Sequence, residues 1–100
     1  MNVEYLLPAK LEYFETINYY NEQSGGLGFE FAAEIECTIE RIKKYPQAWQ
    51  IFSKRGRRCR TKRFPYGVIY YSEDDAIYIV GIMHLQRDPK RWINRLKKCE

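Results

Sequence analysis

The hydrophobic period changes halfway along the chain, and that change limits the fold to a few layered architectures. From Pro8 to Lys44 apolar residues recur at helical spacing; from Arg57 to Leu85 they gather into short β-branched and aromatic runs. Helices first and strands later argue for an α+β domain, not for alternating α/β units. Pro8 suits the first turn of a helix, because its missing N–H has no partner there anyway. Leu11, Phe14, Ile17 and Tyr20 or Asn21 are the expected apolar stripe of that helix, with Tyr13 alongside. Gly25-Gly26 ends it. A second helix starts near Leu27, with Phe31, Ile35, Ile39 and Ile42 as its stripe and Tyr45-Pro46 as its stop. Two amphipathic helices joined by two glycines read as an antiparallel hairpin.

The remaining elements are shorter. Asn2–Leu7 reads as a first strand. Gln47–Gly56 has no repeat and reads as a loop with Trp49, Ile51 and Phe52 tucked in. Arg57–Arg63 and Tyr66–Ser72 read as strands, with Glu73-Asp74-Asp75 turning into a third, Ala76–Leu85. That third strand is almost wholly apolar, so it is expected at the centre of the sheet and buried on both faces. Asp88-Pro89 reads as the cap and first position of a last helix carrying Trp92, Ile93 and Leu96. The expected order is β-α-α-β-β-β-α, a helical hairpin laid on an antiparallel meander. One domain over residues 1–100 is expected, since a chain of this length supports a single core.

Composition excludes several classes. With 45% hydrophobic and 16% aromatic residues the chain is no disordered segment. No apolar run approaches the roughly 20 residues of a membrane span, and Met1-Asn2-Val3-Glu4 does not open a secretory signal. Cys37, Cys59 and Cys99 show no metal-like spacing, and His84 alone cannot complete a zinc set. Reduced thiols in a cytoplasm, with no metal and no cofactor, are the expectation.

Charge is unevenly placed. The formal net charge is +4, but residues 1–53 carry four Lys/Arg against eight Glu, and residues 54–100 carry thirteen Lys/Arg against five acids. The halves are therefore −4 and +8. Seven of the ten residues in Lys54–Arg63 are basic. On a strand, side chains alternate between faces, so Arg58, Arg60 and Lys62 would form a row with steps of about 6.6 Å, roughly the spacing of successive phosphates. Arginine forks bind phosphate or carboxylate bidentately. The alternatives are a solvated strand, one neutralised by the glutamates of the helices, or an acidic protein partner. At the exit of the last strand, His84 is expected on the same side as Tyr78, Val80 and Ile82. There it would be a candidate general acid or base, with Arg87 stabilising charge on a phosphate. A histidine that simply packs is the alternative.

Three segments carry a family likeness: Gly25-Gly26-Leu27-Gly28-x-x-Phe31, Arg63-Phe64-Pro65-Tyr66-Gly67-Val68-Ile69-Tyr70-Tyr71, and His84-Leu85-Gln86-Arg87-Asp88-Pro89-x-x-Trp92-x-x-Arg95. Together they resemble the RelE/ParE superfamily of bacterial toxins. The resemblance implies a microbial-RNase-like fold and the toxin half of a type II toxin–antitoxin pair, neutralised by a cognate antitoxin. RelE-like members cleave messenger RNA in the ribosome; ParE-like members poison DNA gyrase. It further implies Arg58, Arg60, Lys62, Arg87, Arg91 and Arg95 as the target- or nucleic-acid-binding set. For a nuclease, Arg60, His84 and Arg87 would be the catalytic set. Two departures point away from the nucleases: Gly67 stands where they tend to carry an arginine, and no tyrosine follows Tyr78. The pattern is closer to the ParE-like, plasmid-stabilisation branch, the alternatives being a RelE-like ribosome-dependent nuclease and an inactive toxin fold that serves only as a binding protein. A homodimer or a toxin–antitoxin hetero-oligomer is the expected assembly.

Overall fold

The computed structural model describes residues 1–99. Its elements are β1 (Asn2–Tyr5), α1 (Leu7–Gln23), α2 (Leu27–Lys44), β2 (Gln50–Ile51), β3 (Arg57–Arg60), β4 (Tyr66–Glu73), β5 (Ala76–His84) and α3 (Lys90–Lys98). The class is α+β as expected. The five strands lie in the order β1-β5-β4-β3-β2. β3, β4 and β5 form the antiparallel meander, and β1 adds to β5 in parallel. Among the described residues no helix is long and apolar enough to cross a membrane.

The helical hairpin covers one face of the sheet and α3 the other. α2 keeps its expected stripe: Phe31, Ile35, Ile39 and Ile42 are all buried. Gly26 takes a left-handed φ of 88° at the corner. Gly28 lets the two helices touch, since a Cβ there would lie 2.1 Å from the Ile17 carbonyl oxygen. α1 differs from the expected stripe. Ile17 and Tyr20 face the core, but Leu11 and Phe14 are 51% and 54% exposed. The buried line runs through Tyr13, expected alongside the stripe, and through Ala9, whose small side chain lets the helix sit close to the sheet.

β5 is an interior strand between β1 and β4 and most of it is buried on both faces, but β4, not β5, holds the middle of the order. The two-residue turn at Asp74 and Asp75 has φ of 51° and 62°, the geometry whose twist matches paired strands. Two segments depart from expectation. Gln50 and Ile51 pair with Arg58 and Arg57 as a short edge strand, and Ile51 is 67% exposed, not tucked in. The basic strand ends at Arg60, three residues early, because Thr61 turns back and its N–H bonds to the Tyr66 carbonyl.

Candidate functional site

The register of β3 divides its cations. Cys59 points into the core under the hairpin and is 1% exposed. Arg58 and Arg60 point the other way, opposite Ile69 and Gly67 on β4. The stem of Arg58 lies across Gly67, where an added Cβ would sit 2.8 Å from its Cγ. Its guanidinium carbon is 5.6 Å from the centre of the Phe52 ring, and Nη2 donates to Gln50 Oε1 at 3.0 Å. Burial, and then the neighbouring charge of Arg60, lower its pKa. Arg58 is therefore half committed to packing, and Arg60 is the exposed cation of the pair.

The expected row of three cations is broken at Lys62. That residue lies in the Thr61–Pro65 turn, where its backbone N–H is 3.4 Å from Glu34 Oε2. Its neighbour Arg63 donates to Glu30 Oε1 at 2.6 Å. The glutamates of α2 neutralise this end of the basic run.

His84 and Arg87 do come together, with His84 on the opposite side of the sheet from Arg58 and Arg60. A β-bulge is the cause. Ile69 pairs with Gly81 and Tyr70 with Ile79, so Val80 is an extra residue in β5. The alternation slips by one there, placing Ile82 in the hairpin core and Val80 in the α3 core. The expectation that His84 shares a side with Tyr78 and Val80 is corrected: it follows Ile82. Its ring lies 5.0 Å from that of Tyr66, edge to face. Gln86 N–H donates to Nδ1 at 3.1 Å. That bond occupies Nδ1 and leaves Nε2 as the ring nitrogen open to the cleft. His84, Arg87, Tyr66, Tyr19 and Thr16 line a cleft of about 470 Å³. Burial raises the pKa of the Tyr66 phenol.

Arg95 and Arg91 meet a residue that the sequence did not single out. Glu12 of α1 accepts from Arg95 through both oxygens, each at 3.1 Å. It also accepts from Trp92 Nε1 at 3.2 Å and from the Ile82 N–H at 3.1 Å. Arg95 Nη1 donates to the Val80 carbonyl at 2.8 Å. Among the described residues the edge of β5 has no strand partner beyond Tyr5, and this pair satisfies backbone groups at the bulge. Arg95 thus ties α3 to α1, while Arg91, 4.0 Å from Glu12, keeps a largely exposed side chain over Trp92. Nothing local in the sequence marks Glu12, since its partner is 83 residues away. Among the described residues no group of three or more His, Cys, Asp or Glu is placed to hold a metal.

A helical hairpin on one face of a bulged meander and a short cationic helix on the other define a small α+β domain with a core on each face of its sheet. The family model for the ParE toxin of the type II toxin–antitoxin system parDE matches residues 3–89, and the chain belongs to that family. A solved structure described as the chromosomal ParDE TA system from P. aeruginosa is similar with a TM-score of 0.69 and 15% identity. The match covers 86% of this chain and 97% of that one. No curated protein sequence matches. The matched family segment ends just before α3, so the Arg95 end of the clamp lies outside it.

Proposed function

We propose that this ParE-family chain arrests growth in the cytoplasm by binding a macromolecular target, with DNA gyrase as that target, and that a cognate antitoxin neutralises it. The observation that carries the reading against RNA cleavage is the separation of the candidate nuclease groups. Arg58 and Arg60 lie on the α3 side of the sheet and His84 on the hairpin side, with Arg87 between α1 and α3. Arg60 and His84 leave neighbouring strands on opposite faces, which supports binding over cleavage at a single phosphate. The space above Gly67 is filled by the Arg58 stem, so it holds no further cation there. Binding, by contrast, needs only a cationic surface of fixed shape.

The antitoxin segment that fits is acidic and amphipathic. Arg60 and Arg87 are exposed cations for its carboxylates. Leu7, Leu11 and Phe14 form an exposed apolar line on α1. Rim pairs of that kind weaken with salt. Induction with and without the antitoxin, followed by a supercoiling assay with purified gyrase, tests the reading. Growth arrest with loss of supercoiling is expected. New cuts within translated messages, with supercoiling intact, would replace it by ribosome-dependent RNA cleavage.

A further inference from the structure

At the edge of the sheet far from His84 lies a cavity of about 240 Å³ lined by Lys54, Arg55, Arg57, Tyr71, Ser72 and Gln47, with Tyr70 at its wall. All of these side chains carry polar groups. The three cations do not have equal company. Arg55 is paired with Glu73, donates to the Cys99 carbonyl at 2.9 Å and lies 4.4 Å from the centre of the Tyr71 ring. Arg57 is held only by neutral acceptors: Nη1 donates to the Trp49 carbonyl at 2.8 Å and Nη2 to Gln47 Oε1 at 3.1 Å. A guanidinium has five N–H groups, so three of those on Arg57 are left. Among the described residues neither Arg57 nor Lys54 has an acidic group within ion-pair distance. The guanidinium is thus fixed in orientation while its charge stays uncompensated, which is the arrangement of a preorganised anion receptor. Ser72 adds a hydroxyl, 3.4 Å from Gln47 Nε2.

We propose that this cavity binds a phosphate group, with Arg57 and Lys54 supplying charge and Ser72 a hydrogen bond. The cavity is smaller than the roughly 300–1,000 Å³ of sites that enclose drug-sized ligands. It therefore takes a single phosphoryl group, either a free phosphate or monoester, or one phosphate of a nucleic-acid backbone. The site stands apart from the toxin reading, since it uses neither Arg60 nor the His84 cleft.

The test is an NMR titration of the ¹⁵N-labelled full chain with inorganic phosphate, AMP or a short DNA duplex in low-chloride buffer. Saturable shifts confined to residues 47–57 and 70–72 are expected. Arg57→Lys, which keeps the charge but loses the fork, weakens binding about tenfold. Lys54→Ala, at an exposed position, weakens it roughly threefold or more. Unchanged shifts of Phe31 and Ile35 show that both variants are folded. Phosphate and AMP binding alike supports the site with a free anion as ligand; binding of the duplex alone, still weakened in both variants, supports it with a backbone phosphate. No saturable shift with any of the three probes, or wild-type affinity in both variants, overturns the proposal.

Discussion

The two faces of the sheet are closed by different physics. Under the hairpin, Phe31, Ile35, Ile39 and Ile42 pack on Val68, Tyr70, Ile77, Ile79 and Ile82 in one large cluster. Rings continue it, with the centres of Phe64 and Tyr66 lying 5.2 and 5.1 Å from that of Phe31. Under α3 the buried set is only Ile69, Val80, Met83, Trp92 and Leu96. α3 has nine residues, fewer than the roughly 12–15 at which an isolated helix becomes even marginal in water. Its apolar contact is small, and an ion pair from the far side of the molecule completes it. A thick face is held by burial, whereas a thin face needs a polar tie, and the tie's strength depends on its geometry.

The largest effect expected breaks the thick face. Phe31→Ala removes a fully buried ring that touches both the hairpin and the β3–β4 turn. A loss of about 3–5 kcal/mol is expected, read as a shift of the urea midpoint. Hydrogen exchange should then accelerate across the whole chain, because that face is the main core. Protection surviving in α2 would show that the hairpin does not depend on its central ring.

Next in size is the tie itself. Glu12→Ala leaves the Arg95 guanidinium and the Ile82 N–H without their partner in a site where both side chains are mostly covered. Breaking such a pair costs about 3 kcal/mol. Unlike Phe31→Ala, it should first release α3: amides 90–98 exchange faster while those of α2 stay protected. Replacing Arg95 with Met in the same chain should recover part of the loss, since no charge is then left unpaired. Equal acceleration in α2 and α3 would erase the distinction between the faces. A third change approaches α3 from below. At Gly81 an added Cβ would sit 2.1 Å from Trp92 Cδ1. Gly81→Ala should cost about 2 kcal/mol by overpacking, with the same α3-selective exchange pattern.

The thick face was legible in the sequence and the thin one was not. The Phe31-Ile35-Ile39-Ile42 spacing and the Gly25-Gly26 break carry the hairpin, because helical periodicity is a local signal. So is the Asp74-Asp75 turn between two apolar runs. Three features were hidden because they depend on contacts distant in sequence. The bulge at Val80 moves His84 to the other side of the sheet by a one-residue slip that no pattern in β5 announces. The parallel pairing of β1 is set by where α1 returns, not by Asn2–Tyr5 themselves. Glu12 sits on α1 among ordinary surface residues, and only the fold brings it to Arg95. The candidate site suffered most, since its row of cations assumed an unbroken strand to Arg63 and an unbroken alternation to His84.

A smaller effect sharpens the comparison through pH. Burial raises the pKa of the Tyr70 phenol well above the ordinary value of ~10. Tyr5 and Tyr13, both bonded to Glu36, are raised in the same way, by burial first. A raised folded-state pKa means that the native state holds its protons more tightly above pH ~10. That stability is fully present below the unfolded value and is lost as pH rises through the folded values. All three tyrosines pack with the hairpin core, so alkaline titration should loosen the thick face first. Tyr70→Phe removes the bond to the Pro46 carbonyl and should cost about 1 kcal/mol at neutral pH. It should also flatten the alkaline decline. A decline of unchanged steepness would assign it to the other two phenols.

The smallest effect separates a charge that merely decorates the thick face from the one that completes the thin face. Arg63 and Glu30 are 2.6 Å apart, yet their side chains are 57% and 53% exposed. Arg95 and Glu12 are 3.1 Å apart with exposures of 18% and 16%. Distance alone would rank the first pair stronger. Solvent reverses the order, because water screens Arg63–Glu30 and already satisfies both groups when the pair is open. Arg63→Ala should therefore change stability by only about 0.5 kcal/mol, and less at high salt. The Glu12 loss should persist in salt, since its partner lies under Trp92 and the open edge of β5. A salt titration of both variants reads the contrast directly, and equal screening of the two would mean that water reaches the clamp.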